Sequence, residues 1–256
     1  MSKNNRLTAI IAAVGYDDIL DITLSENSDK IDDIIVVTDT ADVKITDVCK
    51  KFPNVTVCHT NAFYANGSKF NRGLAYNLIM DWRMDTLDWV LLLDADIVLP
   101  SDFRGKMILS DFDTECFYGC RRRDIQTYKD WEKVKNDKSA LNSYTLFRGI
   151  GYGFFQLFNT HSSVIRSYVS RGDKMIYPPM PTVSEGDWMF RNLWSDWIYD
   201  PILTDSPESH NIPNNDRALH PHNLKQLPFD VIHLGITGKQ GIVGEDGSLR
   251  ITPRFN

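Results

Sequence analysis

The sequence predicts an α/β protein with a mainly parallel central sheet flanked by helices. Three observations carry that prediction. The first hundred residues alternate apolar bursts with amphipathic stretches, the pattern of β-α-β units. Ile34-Ile-Val-Val37 and Trp89-Val-Leu-Leu-Leu93 are unbroken apolar runs, as buried strands require. The chain has 256 residues, 42% of them hydrophobic and 24% charged, values that exclude disordered, collagenous and low-complexity architectures. That length buries a large core without disulfide or metal staples.

The elements follow in order. Leu7 to Val14 reads as a first strand ending at Gly15. Ile31 to Thr38 contains the second, ending in Asp39, and Ala41 to Phe52 suits a helix that Pro53 stops. Val55-Thr-Val57 is a short third strand. From Ser68 to Met84, the residues Phe70, Leu74, Leu78 and Trp82 recur every fourth position, which predicts an amphipathic helix with that stripe as its apolar side. Trp89 to Leu93 is the central strand. Beyond Pro100, residues 121–138 are polar. A Gly-rich turn, Gly149-x-Gly151-x-Gly153, enters a strand through Phe158, and its spacing is not that of a dinucleotide fingerprint. His161 to Ser170 reads as helical, Tyr177 to Pro181 as a rigid loop, and Ser184 to Trp194 as the start of another helix. A last apolar run from Phe229 ends at His233.

Net charge is −6, which argues against a histone-like coat for polyanions but leaves room for a local basic groove. Cys49, Cys58, Cys116 and Cys120 are too scattered for a disulfide scaffold, and Cys116-x-x-x-Cys120, with no second Cys/His pair nearby, reads as reduced core or strand cysteines rather than zinc ligands. No apolar run is long enough for a membrane span or signal core. A soluble cytoplasmic protein without membrane contact is expected, in the host cytoplasm if the chain is viral.

The chemistry concentrates in a few places. Asp94-Ala-Asp96 follows a buried strand, where acidic side chains reach the crevice in which open α/β sheets bind ligands. Two such carboxylates repel unless a cation joins them, and a hard divalent ion suits oxygen ligands. Lys69 and Arg72 flank a helix start, a seat for a diphosphate or simply a solvated helix face. His233 leaves an apolar strand, with Gly235 and Lys239 after it. Ser184-Glu-Gly-Asp187 is capping-box-like, and Asp39 is placed to cap the helix from Ala41.

Asp94-Ala-Asp96, with the upstream strands and Asn71-x-Gly73-x-Ala75-x-Asn77, resembles the Asp-x-Asp region of family 2-like glycosyltransferases of the A fold. Val231-Ile-His233-Leu-Gly235-Ile-Thr-Gly-Lys239 is similar to the C-terminal metal and phosphate loop of several A-fold families. The likeness covers residues 7–240 in patches and extends to compact transferases of bacterial viruses. It implies one Rossmann-like domain over 1–256, with 1–100 binding the nucleotide-sugar and 101–256 forming the acceptor half and metal-binding tail. It further implies donor contacts from Asp39, Lys69, Asn71, Arg72, Asp94 and Lys239, and metal ligands Asp94, Asp96 and His233. Imidazole ligation favours Mn²⁺ over Mg²⁺. Asp187, with Glu185 in reserve, takes the place of the base that activates an acceptor hydroxyl. The implied reaction is sugar transfer from a nucleotide-sugar, UDP-linked, with inversion.

For the acceptor, some viral relatives suggest a modified base in DNA. Residues 121–138 hold seven Lys/Arg against four Asp/Glu, with Tyr128 and Trp131 placed to stack on bases or, alternatively, to sit in a salt-bridged helix. Two other classes remain. Asp94-Ala-Asp96-Ile-Val98 also fits the nucleophile motif of haloacid dehalogenase-like phosphatases, and a transferase-like fold can serve as a non-catalytic sugar or nucleic-acid binding module.

Overall fold

The computed structural model describes residues 6–67, 70–147, 153–170, 177, 187, 189–194, 223–234, 242–243 and 249–250, with backbone alone at 66–67 and in the last two pairs. Three β-α steps open the chain. Strand β1 (Leu7–Ala12) leads to helix α1 (Asp17–Asn27), β2 (Asp33–Thr38) to α2 (Val43–Cys49), and β3 (Val55–His59) to α3 (Arg72–Arg83). Strand β4 (Trp89–Leu93) and the short β5 (Ile97–Val98) bracket the Asp-x-Asp turn. A single helical turn, α4 (Phe103–Lys106), precedes β6 (Phe117–Ile125), α5 (Tyr128–Asn136), β7 (Leu146–Phe147), β8 (Phe155–Asn159), α6 (Ser163–Ser170) and β9 (Leu224–Leu234).

The strands form one nine-stranded sheet in the order β3-β2-β1-β4-β8-β6-β9-β5, with β7 on β6. β3, β2, β1, β4, β6 and β9 run one way, while β8, β5 and β7 run against them. The result is a mixed α/β fold with a mostly parallel sheet flanked by helices, as the sequence predicts.

Both faces of the sheet are covered, which explains the unbroken apolar runs. Successive residues of a strand point to opposite faces. Ala9 and Ile11 of β1, with Leu91 and Leu93 of β4, therefore pack with Leu20 and Leu24 of α1, Ile45 of α2 and Trp131 of α5. Ile10, Val90 and Leu92 face the other way, onto Ala75, Tyr76, Ile79 and Met80 of α3 and onto Phe190 and Trp194. Cys116 and Cys120 are buried and free, as expected, and so is Cys49 of α2.

The structure corrects several local expectations. Helix α1 stands between the first two strands, where the sequence reading assigned none. Asp42, not Asp39, is the N-cap of α2, accepting from the Ile45 amide at 3.4 Å. Its other carboxylate oxygen accepts from the Gly15 amide at 2.6 Å. Gly15 turns the chain out of β1 with φ at 70°, a conformation glycine adopts without strain. The stripe expected to anchor α3 lies largely outward: Leu78 is 42% and Trp82 66% exposed. The buried side of α3 runs through Ala75, Tyr76, Ile79 and Met80 instead.

Residues 121–138 are likewise not one basic helix. Arg121, Arg122 and Arg123 belong to β6, and their charges are matched. Arg121 and Arg123 both pair with Asp230 of β9, at 2.7 and 3.0 Å, and Arg122 pairs with Asp124 at 3.0 Å. Trp131, 1% exposed, is a core residue of α5 and cannot stack on a base. Three of the seven cations in this stretch are thus turned onto acids of the same sheet, and nothing in the fold supports a DNA-binding role for it. Among the described residues, no helix is long and apolar enough to cross a membrane.

Candidate functional site

Ligand crevices of mostly parallel sheets open beyond the strands' carboxyl ends. Here Asp94 and Asp96 follow β4, His233 is the penultimate residue of β9, and Asp124 that of β6. β8 runs antiparallel, so its N-terminal approach, Gly153 and Phe154, arrives at the same edge. The Asp94 amide donates to the Phe154 carbonyl at 3.2 Å, and the Leu234 amide to the Asp96 carbonyl at 2.8 Å. These backbone bonds clamp the Asp-x-Asp turn between β8 and β9.

Two side-chain groups result. The first centres on Arg72, which is 6% exposed at the start of α3. Its guanidinium donates to Asp94 and to Asp187, and Tyr177 donates its hydroxyl to the same Asp187 oxygen. Gln156 reaches the Asp187 carbonyl at 3.3 Å. Burial alone disfavours the Arg72 cation, but Asp187 and Asp94 outweigh it and keep the group charged. Burial pushes the Asp94 carboxyl up to about 7 against the pull of Arg72, with Asp96 and Asp187 adding to the rise. Gly153 closes the group. A Cβ there would collide with the Asp187 carboxylate and the Arg72 guanidinium, so only glycine lets the backbone pass.

The second group is a line of three residues. His233 Nε2 stands 3.3 Å from Asp96 Oδ2, and Nδ1 stands 3.0 Å from Asp124 Oδ1. Burial works against the imidazolium, but Asp96 and the hydrogen bonds to both carboxylates outweigh it and raise His233 to about 9. Asp96 Oδ1 is buried and has no hydrogen-bond partner.

Among the described residues, no three His, Cys, Asp or Glu side chains form a group that could hold a metal ion alone. Of the three ligands that the resemblance implies, two face each other. Asp94 is drawn to Arg72, leaving Asp96 and His233 as the facing pair. That pair fits a hard divalent ion. An orphaned buried carboxylate oxygen lacks a partner, and ligands at right angles about 2.1 Å from an ion stand about 3 Å apart. Such ions commonly take one or two protein ligands and complete their shell with substrate phosphate and water.

Other expected residues fall nearby or elsewhere. Asp39 follows β2, which is separated from β4 by β1 alone, so roughly 10 Å of sheet edge lies between Asp39 and Asp94. Its carboxylate accepts from the Ala41 amide at 2.7 Å. Asn71 is the α3 cap, accepting from Leu74 at 3.0 Å, and Asn77 is bonded to both backbone groups of Tyr177. Lys69, Glu185 and Lys239 lie outside the described residues. So does Ser184, and with it the capping-box reading. Asp124, Tyr177 and Gln156 were not singled out from sequence. Period-two reading of 117–125 offers a signal for Asp124, because it places Arg122 and Asp124 on one face of a strand.

No protein-family profile matches this sequence, and no curated protein sequence does. Solved structures do show likeness. A mycobacterial protein aligns over 91% of this chain and 68% of its own, at 12% identity and a TM-score of 0.47. Mouse xyloside xylosyltransferase 1 aligns over 89% and 96%, at 10% identity and 0.40. A putative glucose-1-phosphate thymidylyltransferase from Bacillus anthracis aligns over 72% and 82%, at 12% identity and 0.41. At these scores none of the likenesses carries function to this chain.

Proposed function

We propose that this chain is a divalent-metal-dependent glycosyltransferase that moves a sugar from a nucleotide-sugar, UDP-linked, to an acceptor hydroxyl with inversion. The observation that supports it most is the Asp96–His233 pair, with an orphaned carboxylate oxygen, beside the Arg72-bridged acids at the carboxyl edge of the sheet. Asp39 takes the nucleoside, and the sheet edge between it and Asp94 has the width of a nucleoside. Asn71 shapes the donor seat by capping α3. Arg72 fixes Asp94 and Asp187 relative to each other. Lys69 and Lys239 supply the remaining cations for the diphosphate.

Asp187 serves as base, with Glu185 as its rival. It takes the proton from the acceptor hydroxyl as that oxygen bonds the anomeric carbon and the bond to the nucleoside diphosphate breaks on the opposite side. Arg72 and Tyr177, both on one Asp187 oxygen, orient the carboxylate for that transfer. When bound, Mn²⁺ or Mg²⁺ on Asp96 and His233 supplies charge neutralisation for the leaving diphosphate.

A donor screen read out as nucleotide release, with and without Mn²⁺, tests the reaction. Asp96→Ala should abolish Mn²⁺-dependent donor binding in calorimetry. Wild-type transfer by that variant overturns the assignment, and phosphate release from a generic ester without any sugar nucleotide favours a phosphatase instead.

A further inference from the structure

Asp124 lies in the Arg-rich stretch, yet strand pairing brings it beside His233. The two residues are direct partners in the parallel β6–β9 register, so their side chains leave the same face. Asp124 is buried, and its Oδ1 lies 3.0 Å from Nδ1 of His233. Two residues back along the same face, the Arg122 guanidinium stands 4.9 Å from the ring centres of both Phe147 and Phe154. From there its Nε faces Asp124 Oδ1 at 3.0 Å. An arginine held by two rings thus sets a cation beside the Asp124 carboxylate, and a carboxylate only accepts hydrogen bonds.

We infer that Asp124 is a positioning residue: by accepting from Nδ1–H it turns His233 so that Nε2 faces the Asp96 carboxylate and a divalent ion held there. The inference rests on the metal-dependent reading above. An ion bound at Nε2 displaces the proton held there, and an acceptor at Nδ1 keeps the ring's remaining N–H on that side, so the Nε2 lone pair faces the ion. Carboxylates behind ligating histidines orient the ring and strengthen it as a ligand, and their loss weakens metal binding by about 10–100-fold. Register supplies the rest. β9 is held between β6 and β5, with Ile97, the residue after Asp96, opposite His233. One strand therefore presents the imidazole to both carboxylates at once.

The test is Mn²⁺ binding by the free protein, followed through the electron paramagnetic resonance signal of unbound Mn²⁺, with no donor or acceptor present. Asp124→Ala should weaken binding by about 10–100-fold. Asp124→Asn keeps an oxygen that accepts from Nδ1–H and should recover part of that loss, which also guards against a variant that merely misfolds. His233→Ala with Asp124→Ala should bind no more weakly than His233→Ala alone, because Asp124 acts through the ring. Additive losses would place the effect of Asp124 elsewhere and overturn the inference. Unchanged affinity in Asp124→Ala overturns it while the metal reading stands. No Mn²⁺ uptake by the wild type overturns both.

Discussion

Arg72 is the residue on which the candidate site turns. It is buried, and it divides its charge between Asp94 and Asp187. A buried cation so placed is stable only with its acids, so each carboxylate has a structural duty besides any chemical one. Asp187→Asn separates the two duties. The amide keeps an oxygen to accept from Tyr177 and Arg72 but loses its charge. A stability cost of about 1–3 kcal/mol in urea unfolding is expected, the scale of a hydrogen bond to a charged group. As base, Asp187 should also account for about 10²–10⁴-fold of turnover, with donor affinity near normal. Stability loss with normal turnover would make Asp187 a counter-ion only. Normal turnover there with loss in Glu185→Gln would move the base to Glu185.

Helix α3 shows what spacing reveals at the scale of an element and what it hides. Four-residue recurrence announces a helix, and the helix is present. Two stripes satisfy that spacing, however, and the aromatic one at Leu78 and Trp82 faces outward. The buried stripe mixes Ala75 with Tyr76, Ile79 and Met80, because a helix set close on a sheet needs small residues as well as large ones. Ile79→Ala should therefore cost about 2–5 kcal/mol in urea unfolding, and Trp82→Ala less than about 0.5 kcal/mol. The reverse order would reinstate the sequence reading of that face. Strands β1, β2 and β4 were legible because burial on both faces writes an apolar run. β6 was not, since two of its three arginines are neutralised by Asp230, more than a hundred residues later. The site divides along the same line. Asp94, Asp96 and His233 announce themselves by local pattern. Asp124 acquires its meaning from His233, more than a hundred residues later, and Tyr177 is placed by Asn77, a hundred residues earlier.

Across the whole molecule, the late strand β9 completes what the early strands begin. It lies between β6 and β5, and its partner β5 precedes it by more than a hundred residues. Phe229 of β9 packs edge-on against Phe103 at 5.6 Å and Phe155 at 6.0 Å, which ties β9 to the turn after β5 and to β8. β8 in turn pairs with β4, so the hydrogen-bonded path from β3 to His233 is unbroken. If that continuity makes the sheet one cooperative unit, loosening β9 destabilises the first four strands equally. Phe229→Ala removes a buried ring and should cost about 3–5 kcal/mol. Tryptophan fluorescence reports on all six tryptophans, buried Trp89 of β4 and Trp131 of α5 among them, and far-ultraviolet circular dichroism on every helix and strand. Both signals should shift to the same lower urea midpoint. A variant in which one transition moves and a second stays would show that β3-β2-β1-β4 folds independently of the half that carries His233.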